Sequence, residues 1–132
     1  MIEKIGAIIQ RPDGRLLVVR KAVPGRTTYI IPGGRREPGE TDLETLHREL
    51  VEELGVRTTA ATLFGDYQEP AEFEDALLHM IVYDVAIEGT PSPQSEILEL
   101  AWVDATFRDE GYDLGSTLSN HVIPALVNLG RL

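Results

Sequence analysis

The sequence predicts an α+β or layered α/β/α domain, and three observations carry that reading. Apolar, β-branched segments stand before and after one strongly capped helix, a second helical stretch closes the chain, and 132 residues suffice for one core of ordinary size. No internal repeat, low-complexity tract or linker interrupts the pattern, so residues 1–132 are expected to form a single domain.

The elements follow in order. Ile5 to Ile9 and Leu16 to Val19 read as strands, and Arg11-Pro12-Asp13-Gly14-Arg15 between them has the turn chemistry of a hairpin. Ala22 to Thr28, with Pro24 and Gly25, reads as a loop, and Tyr29-Ile30-Ile31 as a short strand that Pro32-Gly33-Gly34 ends. Thr41-Asp42-Leu43-Glu44 supplies a capping box, Leu43, Leu46, Leu50 and Leu54 recur at helical spacing, and Gly55 is a C-terminal stop. The helix is therefore predicted from about Asp42 to Leu54. Thr58 to Tyr67, Leu77 to Ile87 and Leu98 to Val103 read as strands, with Thr90-Pro91-Ser92-Pro93 as a loop. Leu118 to Leu129 reads as a closing helix, in which Pro124 fits only near a helix start or at a kink.

Composition excludes several functions. Zero cysteines rule out a disulfide scaffold, a thiolate zinc site and a cysteine nucleophile. No stretch approaches the ~20 apolar residues that span a bilayer, and the N-terminus reads as a strand and not a secretory signal, so a cytoplasmic protein without a membrane partner is expected. The net charge of −10 disfavours a nucleic-acid polymer as partner. The charge is uneven: Arg11 to Arg36 holds seven basic residues and one acid, +6, leaving −16 elsewhere. Such asymmetry suits a phosphate-facing surface beside an acidic, cation-binding one.

The acidic part is sharpest on the helix. At about 100° per residue, Glu49, Glu52 and Glu53 fall on an arc of roughly 100°, away from the Leu43, Leu50 and Leu54 stripe. Like charges at these spacings oppose a helix by about a few tenths of a kcal/mol per pair, and the macrodipole adds to this near a C-terminus. A hard divalent cation, which takes oxygen ligands, would offset the repulsion. A solvated acidic face paired with Arg48 is the plain alternative.

The wider spacing decides between them. Gly34, Glu40 and the run Arg48-Glu49-Leu50-Val51-Glu52-Glu53-Leu54-Gly55-Val56 match every defined position of G-x5-E-x7-R-E-U-x-E-E-x-G-U, where U is a bulky aliphatic residue. That is the Nudix box, and the chain resembles a Nudix hydrolase. The resemblance implies an α/β fold, a Nudix-like α/β/α sandwich with a mixed β-sheet and the box loop-helix at about 32–55.

It also implies hydrolysis of a nucleoside diphosphate linked to another moiety, with Mg2+, or Mn2+ in its place, as cofactor. By motif position Glu49, Glu52 and Glu53 are the implied metal ligands, assisted by a backbone carbonyl at Gly33 or Gly34. Glu49 or Glu52 is the implied base, Arg48 orients a neighbouring carboxylate, and Glu40 fixes the loop against the helix. A further family ligand or base often lies some six residues before a tryptophan-bearing strand, where Glu96 precedes Trp102; Glu69, Glu72 and Glu74 are rivals. Arg20, Arg35 and Arg36 are candidate phosphate contacts, and Tyr29 stands where relatives often carry a tryptophan that packs the site or stacks a base. His47, His79 and His121 read as packed or surface residues.

Substrate is less determined. Relatives acting on (d)NTPs or oxidised (d)NTPs are this short, which places cleavage to NMP and pyrophosphate first. A proline fifteen residues past the box glycine, here Pro70, favours ADP-ribose or a nucleotide sugar as the alternative. A non-catalytic nucleotide-sensing module is the reading from a different class. The isomerase branch needs a cysteine that this chain lacks, and a homodimer is a family expectation only.

Overall fold

The computed structural model describes residues 1–71 and 75–132. Its elements are β1 (Ile2–Ile8), β2 (Leu16–Lys21), β3 (Gly33–Gly34), α1 (Asp42–Leu54), β4 (Arg57–Pro70), β5 (Leu77–Glu88) and β6 (Ile97–Val103), then a π-helical turn (Leu118–Val122) running into α2 (Ile123–Asn128). A four-stranded sheet has the order β3-β1-β5-β4, and β2 pairs with β6 in a second, two-stranded sheet. β1 and β5 are parallel while β1–β3 and β4–β5 are antiparallel, so the larger sheet is mixed.

Alternating side chains place a helix on each face. Ile5, Ala7 and Ile9, with Leu17 and Val19, pack against Leu46, Leu50 and Leu54 of α1. Ile8, with Leu16 and Val18, packs on the opposite side against Leu118, Val122, Ile123 and Leu126. The result is the layered α/β/α arrangement. Full burial of each of Leu46, Leu50 and Leu54 contributes about 1.5–3 kcal/mol, which far exceeds the repulsion among the helix's glutamates.

α1 has the predicted bounds because both ends are chemically fixed. Thr41 Oγ1 accepts from Glu44 N–H at 3.2 Å, Glu44 Oε1 accepts from Thr41 N–H at 3.0 Å, and Gly55 closes the helix at φ 67°. The apolar stripe differs from the prediction: Leu43 is half exposed, while Thr45, about 200° round the helix from it, is buried with its hydroxyl satisfied by Glu40 Oε1 and the Thr41 carbonyl.

Two further expectations are corrected. The β1–β2 hairpin exists only at its tip, where Leu17 N–H bonds the Ile9 carbonyl at 2.9 Å; beyond it the strands diverge into different sheets. Tyr29 to Ile31 makes isolated bridges to Val19 and Leu114 instead of a strand, and the double glycine itself pairs with Ile5 and Gly6. Gly33 has φ 140°, and a Cβ there would overlap the Ile5 carbonyl oxygen, so the close pairing requires glycine. At the C-terminus the helix changes from π to α geometry beside Pro124, which occupies the first turn of α2 where its missing N–H is not needed.

Candidate active site

The three box glutamates share an arc of α1 but not an environment. Glu53 is 2% exposed, the Glu49 side chain 15% and the Glu52 side chain 54%, so burial rises toward the double glycine. Glu53 Oε1 accepts from Gly33 N–H at 3.0 Å, which ties α1 to β3. Burial, the dominant cause, pushes the Glu53 carboxyl up to about 7; the Gly33 hydrogen bond and the charge of Lys21 oppose it, and Glu49 and Glu96 add to it. Burial also raises the Glu49 carboxyl, against the pull of Arg48.

Arg48 organises the exposed side of this group. Its Nε and Nη2 grip the two Glu40 oxygens at 2.7 and 2.9 Å, Nη2 also bonds the Arg35 carbonyl at 3.0 Å, and Nη1 lies 2.9 Å from Glu49 Oε1 and 3.7 Å from Glu52 Oε1. Glu40 further accepts from Glu37 N–H and Thr45 Oγ1, and the Arg48 guanidinium above all holds its carboxyl down at about 2. One guanidinium thus joins the box loop to the helix and aims Glu49. Because the Glu40 value is depressed, the clamp is complete above the ordinary carboxylate range and is lost as pH falls toward 2. Arg48→Lys cannot reproduce the forked grip, so it and Arg48→Ala are both expected to lower kcat/KM by about 10–100-fold with similar severity. Full activity in Arg48→Lys would show that only the charge matters.

The remaining candidates are distributed around this centre. Glu96 is exposed and lies 3.4 Å from Lys21 Nζ, close enough for its charge to act on Glu53. Arg20 donates from Nε to Glu99 Oε1 at 2.8 Å and from Nη1 to the Arg26 carbonyl at 3.1 Å, and the Tyr29 hydroxyl donates to the same Glu99 oxygen. Arg20 and Tyr29 thus share Glu99 as their partner. Arg36 is held by Glu3 and Asp42, while Arg35 offers its carbonyl to Arg48. Glu69 accepts from Asn120 at 3.1 Å and lies 2.7 Å from His121 Nε2. Glu72 and Glu74 lie outside the described residues.

One residue that sequence reasoning passed over stands in the centre. Lys21, at the end of β2, lines a cleft together with Gly33 and Gly34, and its charge acts on both Glu49 and Glu53. Ile2, Ile31, Leu78, Met80 and Leu118 give the cleft an apolar wall, to which Lys4, Ser116 and Thr117 add polar groups.

The donor set suits a hard divalent cation. It offers carboxylate oxygens alone, two of them on side chains withdrawn from water, and burying such charges without a cation is costly. Gly34 has no side chain where Glu49 lies: a Cβ there would sit 2.5 Å from the Glu49 carboxyl carbon, so the carboxylate is pressed against the backbone of the double glycine. Among the described residues, no three acidic or histidine side chains converge at ligand spacing. Glu49 and Glu52 are instead drawn to Arg48. No helix among the described residues is long and apolar enough to cross a membrane.

The chain is similar to a MutT-like protein of Streptomyces ambofaciens, 32% identical over 93 residues that make up 70% of this chain and 59% of that protein. It is also similar to the CTP pyrophosphohydrolase of Escherichia coli strain K12, 32% identical over 87 residues, 64% of this chain and 62% of that protein. These matches span less than two thirds of each relative's length. Among solved structures, that of the E. coli ORF135 protein has a TM-score of 0.71 at 29% identity, covering 98% of this chain and 89% of that one. The NUDIX domain family matches residues 3–106, a span that takes in the double glycine, the glutamate helix and the strands up to β6, and the chain belongs to that family.

Proposed function

We propose that the chain is a divalent-metal-dependent hydrolase of a nucleoside diphosphate linked to another moiety, with Mg2+ as its metal. We further propose that its substrate is a (d)NTP or oxidised (d)NTP, cleaved to NMP and pyrophosphate. The observation that carries the reading is the buried Glu53 with the half-buried Glu49, both set against the double glycine beside the cleft that Gly33 and Gly34 line. A relative named a CTP pyrophosphohydrolase supports the triphosphate, and mouse and human relatives named 8-oxo-dGDP phosphatases support an oxidised base at 25% and 26% identity.

In this reading Glu49, Glu52 and Glu53 hold the metal with the Gly34 backbone beside them. When bound, the metal neutralises phosphate charge and lowers the pKa of a coordinated water. The protein's own contribution is placement. Arg48 fixes the direction of Glu49, Gly33 N–H fixes Glu53, and Glu49 or Glu52 accepts the proton of the attacking water, with Glu96 as the further acidic group. Arg20, Arg35, Arg36 and Tyr29 remain candidates on the substrate side, of which Arg20 and Tyr29 would have to leave Glu99 to reach a ligand.

A second reading, ADP-ribose hydrolysis, is favoured by an ADP-ribose pyrophosphatase of Methanocaldococcus jannaschii that is 36% identical over 66 residues, half of this chain and 39% of that protein. The proline associated with it, Pro70, ends β4 and pairs with Leu77, so it has a structural use of its own. The test is a phosphate-release screen over dNTPs, 8-oxo-dGTP, CTP, ADP-ribose and nucleotide sugars, with Mg2+ or with EDTA. Monophosphate plus pyrophosphate is the expected product pair. Two monophosphates from ADP-ribose would favour the second reading, and no turnover of any member would favour a sensing module.

A further inference from the structure

Glycines apart, Ser95 alone among the described residues has a positive φ, at 56°. A residue with a side chain rarely adopts this backbone, and it persists only where the surroundings over-determine it. Here they do so from both sides. The chain before Ser95 is fastened to the end of α1: Ser92 N–H donates to the Leu54 carbonyl and Gln94 N–H to the Glu53 carbonyl, each at 3.0 Å. These are carbonyls for which a helix C-terminus has no donors of its own. The Gln94 side chain also fills the space over Gly55, where a Cβ would collide with its Nε2.

The chain after Ser95 is fastened to the end of β2. The Glu96 carbonyl accepts from Ala22 N–H at 2.9 Å, and β6 begins with Ile97 opposite Lys21. Arg20 already lies opposite Glu99, so Leu98 is skipped and β6 enters its sheet through a bulge.

Between the two fastenings the chain turns within four residues, closed by Ile97 N–H to the Gln94 carbonyl at 3.0 Å. Ser95 and Glu96 are the central pair. With a positive φ at the first of them only, the turn is of type II′, whose first central position favours glycine. Serine there costs stability and keeps the geometry. What the geometry presents is Glu96, whose exposed carboxylate lies within electrostatic reach of Glu53. Because Gln94 is bonded to the Glu53 backbone itself, the carboxylate of α1 and the carboxylate of the turn share one backbone frame.

We propose that Ser95 is a positioning residue for Glu96: its left-handed backbone, held between the ends of α1 and β2, keeps the Glu96 carboxylate beside Glu53, so that the two act on one divalent cation. Ser95 works through Glu96 and is not itself a ligand. This rests on the hydrolase reading for the use made of the cation, but cation binding is measured without turnover.

The test titrates Mn2+ into the nucleotide-free chain, as wild type, Ser95→Gly, Ser95→Val, Glu96→Gln and the double variant Ser95→Val with Glu96→Gln. Glu96→Gln is expected to weaken Mn2+ binding by about tenfold or more, a usual cost of losing a supporting group at a metal. Ser95→Val, whose β-branched side chain opposes a positive φ, should weaken it by a similar factor, and Ser95→Gly should retain most of the wild-type affinity. The double variant should bind no more weakly than Glu96→Gln, because nothing is left to position. Ser95→Ala, with the same backbone preference and a smaller side chain, takes the place of the valine variant in the cycle if that protein does not fold. Wild-type Mn2+ affinity in Glu96→Gln or in folded Ser95→Val would overturn the proposal. So would a further loss in the double variant, which would show the turn acting on the end of α1 and not on Glu96. Non-additive loss in a chain that turns over no nucleotide would uphold the turn's role and overturn the hydrolase reading. An active enzyme whose Mn2+ affinity is indifferent to Ser95→Val would do the reverse.

Discussion

Glu53→Gln is expected to abolish hydrolysis and, in the same protein, to stabilise the metal-free fold above neutral pH. Glu53 is withdrawn from water in the folded chain and its carboxyl lies at about 7, against an ordinary value of 4.5 when unfolded. The folded state therefore binds the proton more tightly than the unfolded state. Below the unfolded value both states are protonated and burial costs nothing extra. Stability then falls as pH rises from 4.5 through about 7, by at most ~3 kcal/mol once the buried carboxylate is fully charged. Glutamine keeps the acceptor for Gly33 N–H and removes the charge, so the cost disappears. Unfolding in denaturant with EDTA should show the variant and wild type equal near pH 4.5 and the variant more stable at pH 8. Mg2+ should raise the wild-type midpoint at pH 8 and leave the variant's unchanged. Equal stability of the two proteins at pH 8 without metal would mean that Glu53 is not a buried charge waiting for a cation.

The position of Glu53 was more legible in the sequence than the stripe of leucines suggested. At about 100° per residue Glu53 lies only about 20° from Leu46, so a wheel centred on Leu46 already places it at the edge of the core, while Glu52 falls on the far side. Helix bounds were legible because Thr41, Glu44 and Gly55 act through local hydrogen bonds and backbone conformation. Strand partners were not. Leu16, Leu17, Val18 and Val19 are all fully buried, so no polar alternation marks which face or neighbour each side chain takes, and a hairpin was the default reading of two apolar runs around a turn. Lys21 escaped for a related reason: a bulge leaves no local signature in sequence, and without it Lys21 is one cation among seven.

Gly34→Ala should cost about a hundredfold or more in kcat/KM with little loss of fold stability, and the loss should vanish when Glu49 is already gone. A Cβ at Gly34 would lie 2.5 Å from the Glu49 carboxyl carbon and Oε1 and 2.8 Å from Oε2. The nearest obstacles to that methyl are thus the end of one side chain, which can swing away. Gly33→Ala is different in kind, because its Cβ would overlap the Ile5 backbone and its φ of 140° is strained for any other residue, at about 1–3 kcal/mol. The alanine at Gly34 therefore displaces a carboxylate and spares the β1–β3 pairing. A displacement of about 1 Å in a group that places a reacting centre is worth about a hundredfold in rate. The double-mutant cycle isolates the cause: Glu49→Ala alone and Glu49→Ala with Gly34→Ala should have the same residual activity, since the second change has nothing left to displace. Additive losses would show that the methyl acts on the backbone of the double glycine or on the metal directly. Non-additivity together with an unchanged unfolding midpoint would establish that glycine is required at Gly34 by the space Glu49 occupies, and that the bare backbone there belongs to the site and not to the turn.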